Sequence, residues 1–192
     1  YRFSIRMPSA DDQMSAVYGN SEAPLIVNVP EGAFNTPFNA GWNASGINPA
    51  FLTSFPELAD DTYATIGLDG PASASGLDSA SDALLAEDPN QAITPFFLNQ
   101  GETLLVADQV IGSSWFILSD ASNASPNEDL EVLILQITTP GSVSGTLNVS
   151  ILTESQDDFL PKTFSFDGPG IYSAVGDGNA CGCMDETACN YD

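Results

Sequence analysis

The chain has 192 residues, 26 acidic against three basic side chains, a net charge of −23 and no histidine. Its hydrophobic fraction of 43% is that of a globular chain and excludes a disordered acidic tail. With so few cations it has nothing to neutralise a nucleic-acid backbone or to hold an anionic membrane surface, and without histidine it has no Ser-His-Asp or Cys-His catalysis and no His-ligated zinc or haem.

The N-terminus, Tyr1-Arg2-Phe3-Ser4-Ile5-Arg6-Met7, alternates with period two. Tyr1, Phe3, Ile5 and Met7 share one face, and Arg2 and Arg6, two of the three basic residues, share the other. Two readings stand open: a first edge strand, or an arm that adds to the sheet of a neighbouring copy, its arginines meeting the neighbour's carboxylates. Residues 25–29 and 62–68 read as short strands. Residues 48–55 carry a helical signal, with Pro49 in a possible first turn and Pro56 beyond the end; residues 79–87 form a weaker one. Residues 94–98 and 101–105 read as short strands, and 114–118 as a buried one. Trp115 belongs to the core, whereas Trp42, set among Gly, Asn and Ser, suits a surface aromatic.

The clearest pair covers residues 130–151. Residues 130–138 are apolar on both faces, as in a central strand covered on both sides. Thr139-Pro140-Gly141-Ser142 has type II turn chemistry, with Pro setting φ and Gly accepting a positive φ. Residues 143–151 alternate, placing Val143, Leu147, Val149 and Ile151 inward and Ser144, Thr146, Asn148 and Ser150 toward water. An antiparallel hairpin is expected. Residues 162–166 and 171–175 read as a later pair. Many short strands separated by Gly, Pro, Asn and Asp turns predict an all-β fold, an antiparallel β-sandwich of jelly-roll or Ig-like type. The expected organisation is an N-terminal strand or arm over 1–12, a sandwich over 13–176 and a small Cys-rich tail over 177–192. No apolar run is long enough to span a bilayer as a helix, so direct membrane insertion is not expected.

All three cysteines, Cys181, Cys183 and Cys189, fall in the last twelve residues. The cluster reads as a disulfide-stapled module, since three thiolates are one ligand short of a closed zinc site. Cys183–Cys189 is the natural local bridge, and the odd count implies a partner cysteine beyond Asp192 or in another chain. Three Asn-x-Ser/Thr sequons, at Asn43, Asn123 and Asn148, are glycosylation candidates in a eukaryotic source.

The tail Cys181-Gly182-Cys183-Met184-Asp185-Glu186-Thr187-Ala188-Cys189-Asn190-Tyr191-Asp192 resembles the Gly-Cys-x-Asp-x-x-Ala-Cys-Asn-Tyr-Asp repeat of large secreted and cell-surface proteins of marine bacteria and some marine microbial eukaryotes. The body is similar to a module that recurs beside those repeats, through Val17-Tyr18-Gly19, Ala64-Thr65-Ile66-Gly67-Leu68, the run from Gly112 to Leu118 and the run from Leu130 to Thr146. The resemblance implies an extracellular, multi-module surface or fibre protein and supplies no ligand.

Calcium is the cofactor most compatible with this composition, because hard cations take carboxylate and carbonyl oxygens; no organic cofactor is expected. Asp177, Asn179, Asp185, Asn190 and Asp192 cluster in the tail, without the spacing of an EF-hand loop. The expected function is a non-enzymatic subunit or module of an extracellular filament, appendage or surface layer. Its partners would be copies of itself or neighbouring modules, held by sheet-edge and apolar contacts in which Tyr1, Arg2, Phe3, Ile5 and Arg6 take part. A calcium-dependent adhesin for glycans is the alternative. A glycoside hydrolase built on two carboxylates comes third, since 26 acidic residues offer such pairs by chance.

Overall fold

The structure, a computed structural model, describes residues 1–154 and 159–176. Within them the strands are β1 (Arg2–Arg6), β2 (Gln13–Gly19), β3 (Leu25–Asn28), β4 (Tyr63–Ala64), β5 (Leu84–Ala86), β6 (Leu104–Ala107), β7 (Ser113–Phe116), β8 (Glu131–Gln136), β9 (Ser144–Leu152) and β10 (Phe159–Asp167). A short helix, α1 (Thr94–Leu98), and several 3-10 turns complete the described elements. The strands form two antiparallel sheets: a small one ordered β1–β8–β4, and a larger one running β5–β7–β2–β9–β3–β6, with β10 also paired to β9. Their facing side chains share one core, from Met14, Val17, Val27, Leu105 and Trp115 of the larger sheet to Ile5, Val132 and Ile134 of the smaller. The fold is an all-β antiparallel sandwich.

The larger sheet is simpler than its strand count. Along β9, Leu152 to Asn148 pair with β2, and Thr146 to Ser144 pair with β3. β2 and β3 are therefore two halves of one strand, interrupted by residues 20–24. β7 pairs with the first half and β6 with the second, so they too form one strand, interrupted by residues 108–112. Local chemistry explains the first break. Asn20 Oδ1 accepts from the N–H groups of Glu22 and Ala23, and Asn20 N donates to Ala23 O, which turns the chain out of the ladder before Pro24. The two breaks lie side by side, joined by Ser21 N donating to Gln109 O at 3.0 Å. The core fills the inner side, so the segments leave on the solvent side, where Ser21 and Glu22 are exposed.

In the small sheet the register skips Ile134, because Phe3 faces Leu135 and Ser4 faces Leu133. The Ile134 carbonyl at this bulge accepts from Thr65 N at 3.0 Å and from Trp115 Nε1 at 3.2 Å. The buried Trp115 thus satisfies its polar edge while tying the larger sheet to the smaller. β8 is central and covered on both faces, as its sequence requires. The main core lies on one side; on the other lies a second cluster of Ala44, Ile47, Leu58 and Tyr63, with Leu52 packed against it.

Several expectations need correction. Residues 130–138 and 143–151 do not form a hairpin: β8 and β9 lie in different sheets. Both edges of β8 are occupied, by β1 and by β4, and Tyr1 extends the first pairing through mutual backbone hydrogen bonds with Ile137. Gly141 does not adopt the positive φ of a type II turn. Residues 94–98 form α1 and not a strand: Pro95 suits a first helical turn, and Phe96 and Phe97 both reach the core. Residues 79–87 are not helical; Ser79 takes φ 61° and the chain enters β5. Residues 171–175 form no strand, although Val175 N donates to Thr163 O. Residues 48–55 hold only a 3-10 turn, Pro49–Phe51, capped by Asn48 Oδ1 accepting from Ala50 N at 2.9 Å. The strand β2 is hard to read from sequence, because a register shift between Met14 and Ala16 breaks its alternation.

Candidate functional site

The N-terminal residues expected to act in assembly are placed within the chain's own sandwich. Ile5 is buried in the core, and Phe3 packs edge-on against Phe166 of β10, their ring centroids 5.0 Å apart. Tyr172 covers Phe166 in turn, and its hydroxyl donates to Asp167 O at 2.7 Å. These three rings close the seam between the edge strands of the two sheets. Tyr1 is partly exposed, and its hydroxyl donates to Gly141 O at 3.0 Å. Arg6 is exposed and stands opposite Glu131 in the ladder. Among the described residues no strand pairs with the outer edge of β1. On the outer edge of β10, Pro161 has the same parity as the outward-facing Thr163 O, so its missing N–H costs the ladder nothing and blunts that edge.

Arg2 has a more specific setting. Register places Arg2, Gln136 and Tyr63 on the face of the small sheet turned away from the larger one. Arg2 Nε donates to Gln136 Oε1 at 2.8 Å, and the Tyr63 hydroxyl donates to the same oxygen at 3.3 Å. Gln136 Nε2 donates to Asp61 O at 2.8 Å and to Ala59 O at 3.0 Å, fixing the amide. Burial pushes the Tyr63 hydroxyl up to about 12, so it remains a donor at neutral pH. Arg2 Nη1 also lies 3.5 Å from Asp69 Oδ2, both side chains being largely exposed. Arg2 thereby stands at the mouth of a cleft of about 200 Å³ whose apolar walls include Ile47, Leu52, Leu68 and Pro71. The arrangement offers one guanidinium beside an apolar floor, suited to a partner that joins a carboxylate to a branched aliphatic group.

Behind the cleft, the Asp61 carboxylate is buried. It accepts from Thr36 N at 2.8 Å and from Asn39 Nδ2 at 2.7 Å, pinning residues 36–39. Burial nevertheless pushes its carboxyl up to about 6, these donors and the Thr62 N–H opposing the shift.

The second surface feature is the interruption at 108–112. Asp108 N donates to Gln91 Oε1 at 2.9 Å, and Gln91 Nε2 returns a bond to Asp108 Oδ1 at 2.8 Å. Donation from the Gln91 and Gln109 amides holds the Asp108 carboxyl below its usual range, so it stays ionised. Gly112 takes φ 74°, and a Cβ there would run into Gly19 O. This pinned loop holds Val110 and Ile111 in solvent, 84% and 71% exposed. Sequence reasoning singles out Arg2 but finds neither the cleft beside it nor the loop at 108–112. The available signal was a pair of β-branched residues set between Asp108-Gln109 and a glycine, with no strand to continue.

The sequon asparagines are internal tethers. Asn43 Nδ2 donates to Ala83 O at 3.0 Å, and Asn123 Nδ2 donates to Ile66 O at 2.7 Å and Ser81 O at 3.1 Å. Asn148 does not face water as expected: it is 1% exposed. Its Nδ2 fills the β2/β3 break, donating to Ala23 O at 2.9 Å, Pro24 O at 3.0 Å and Tyr18 O at 3.3 Å, while Thr163 Oγ1 donates to its Oδ1 at 2.8 Å. A glycan on any of these amides would displace such bonds. Trp42 is half-buried against the main core. Cys181, Cys183, Cys189, Asp177, Asn179, Asp185, Asn190 and Asp192 lie outside the described residues. Among the described residues no three metal-ligating side chains gather, and no helix is long and apolar enough to cross a membrane. No family model, curated protein or solved structure matches the chain.

Proposed function

We propose that the chain is a non-enzymatic structural module of an extracellular filament, appendage or surface layer, binding copies of itself or neighbouring modules. The observation that carries the reading is the pinned loop that keeps Val110 and Ile111 in water. Adjacent β-branched side chains held in solvent by a fixed backbone give the fold nothing and favour association, because burying them on a partner releases water without a large ordering cost. The outer edge of β1, with which no described strand pairs, is a second route of contact. An extracellular setting is supported by the cysteine-rich tail and its resemblance to repeats of secreted surface proteins. The charge of −23 suits salty water, where screening removes most of the self-repulsion.

The test is negative-stain microscopy with sedimentation velocity on the full chain at about 0.5 M salt, where the Debye length is only a few ångströms. Regular polymers or discrete oligomers are expected. A chain that sediments as a monomer up to its solubility limit refutes the self-assembly reading.

A further inference from the structure

We propose that the loop bearing Val110 and Ile111 of one copy seats in the Arg2 cleft of the next, joining copies head to tail. The inference rests on the module reading above and names its partner surfaces. Size is the first argument. The cleft measures about 200 Å³, and a cavity of about 150 Å³ already admits a benzene-sized body, so one branched aliphatic side chain fits inside with its neighbour over the rim. The walls offered by Ile47, Leu52 and Leu68 match that side chain chemically.

Charge is the second argument. Two copies at −23 repel over most of their surfaces, and basic side chains number three in the whole chain. Arg2 puts one of them at the mouth of the cleft, and Asp108 puts a carboxylate two residues from Val110. The loose, exposed pairing of Arg2 with Asp69 at 3.5 Å is of a kind worth little, so it yields to a carboxylate brought in by a partner. Geometry is the third argument. The cleft opens on the face of the small sheet turned away from the core, and the loop leaves the larger sheet on its solvent side. One copy can therefore offer both at once. A contact between two different surfaces that does not close on itself produces open chains, which is the form a filament needs.

Complementary variants test this. Val110→Asp combined with Ile111→Asp removes the tip from an exposed loop. Ala74→Trp fills the cleft from an exposed position on its rim. Each variant should weaken self-association by about 30-fold or more in sedimentation velocity, the loss expected of a central contact. Mixed together, the first variant retains a cleft and the second a loop, so the mixture should stop at one-to-one dimers. Circular dichroism checks the fold of each variant; serine replacements at 110 and 111 substitute for the double aspartate, and Ala74→Leu for Ala74→Trp, should either fail to fold. Assembly of either variant at wild-type strength, or polymers in the mixture, overturns the pairing and leaves the module reading standing. A wild-type chain that stays monomeric overturns the pairing and the self-assembly reading together.

Discussion

Replacing Asn148 with Ala probes the double break in the larger sheet. One side-chain amide serves the carbonyls of Tyr18, Ala23 and Pro24, and its oxygen receives the Thr163 hydroxyl. Ala23 O keeps a second donor, Asn20 N at 3.0 Å. The substitution therefore strips the donor from one or two acceptors in a partly buried setting and the acceptor from one hydroxyl. At about 1–3 kcal/mol for each group left unsatisfied, with partial relaxation, the loss is roughly 2–4 kcal/mol. In a chain of this size that corresponds to a fall in Tm of roughly 5–15 °C. The assay is thermal and urea unfolding followed by circular dichroism, with Ser150→Ala as the paired control. Ser150 completes the sequon but lies outside this hydrogen-bond set, so its replacement should stay within about 0.5 kcal/mol. A cost below about 1 kcal/mol for Asn148→Ala, or an equal cost for Ser150→Ala, would refute the tether argument.

Asp61 predicts a pH dependence. Its folded-state pKa of about 6 lies above the ordinary carboxylate value, so the folded chain holds the proton more tightly than the unfolded chain. Its contribution favours folding fully below about pH 4 and is lost as pH rises through about 6. The urea midpoint of the wild type should fall over that window relative to Asp61→Asn, and parallel curves would sink the assignment. Trp115→Phe removes the bond to Ile134 O and part of a filled core, and should cost roughly 1.5–3 kcal/mol in the same unfolding assay. Asp69→Asn should change stability by no more than about 0.5 kcal/mol, because the pair it breaks is exposed at both ends. Self-association should strengthen as salt is raised, and a fall would show that attraction between charges, not apolar contact, dominates.

Local patterns were enough to read the class of fold. The alternation at the N-terminus marks β1, and the apolar residues on both faces of 130–138 announce a strand covered on both sides, which β8 is. These patterns are legible because side-chain direction within a strand follows from period two alone. The 94–98 segment, Thr-Pro-Phe-Phe-Leu, is too short for its period to separate strand from helix. The candidate site was nearly invisible. The cleft joins Arg2 to Leu52 and Leu68, residues far apart in the chain, and nothing local marks them as neighbours.

By itself the sequence determined an acidic, antiparallel all-β body, with Arg2 and Arg6 on one N-terminal strand. Only the tertiary structure decided which strands pair. The Pro140-Gly141 turn permits a hairpin, but both edges of β8 are filled by strands from residues 2–6 and 63–64. It also turned Asn148 from a wet-face residue into the plug of a broken strand, because the carbonyls it meets come from a segment 124 to 130 residues away. Pairing and burial depend on what else reaches a given point in space, and the periodicity of a short segment does not encode that.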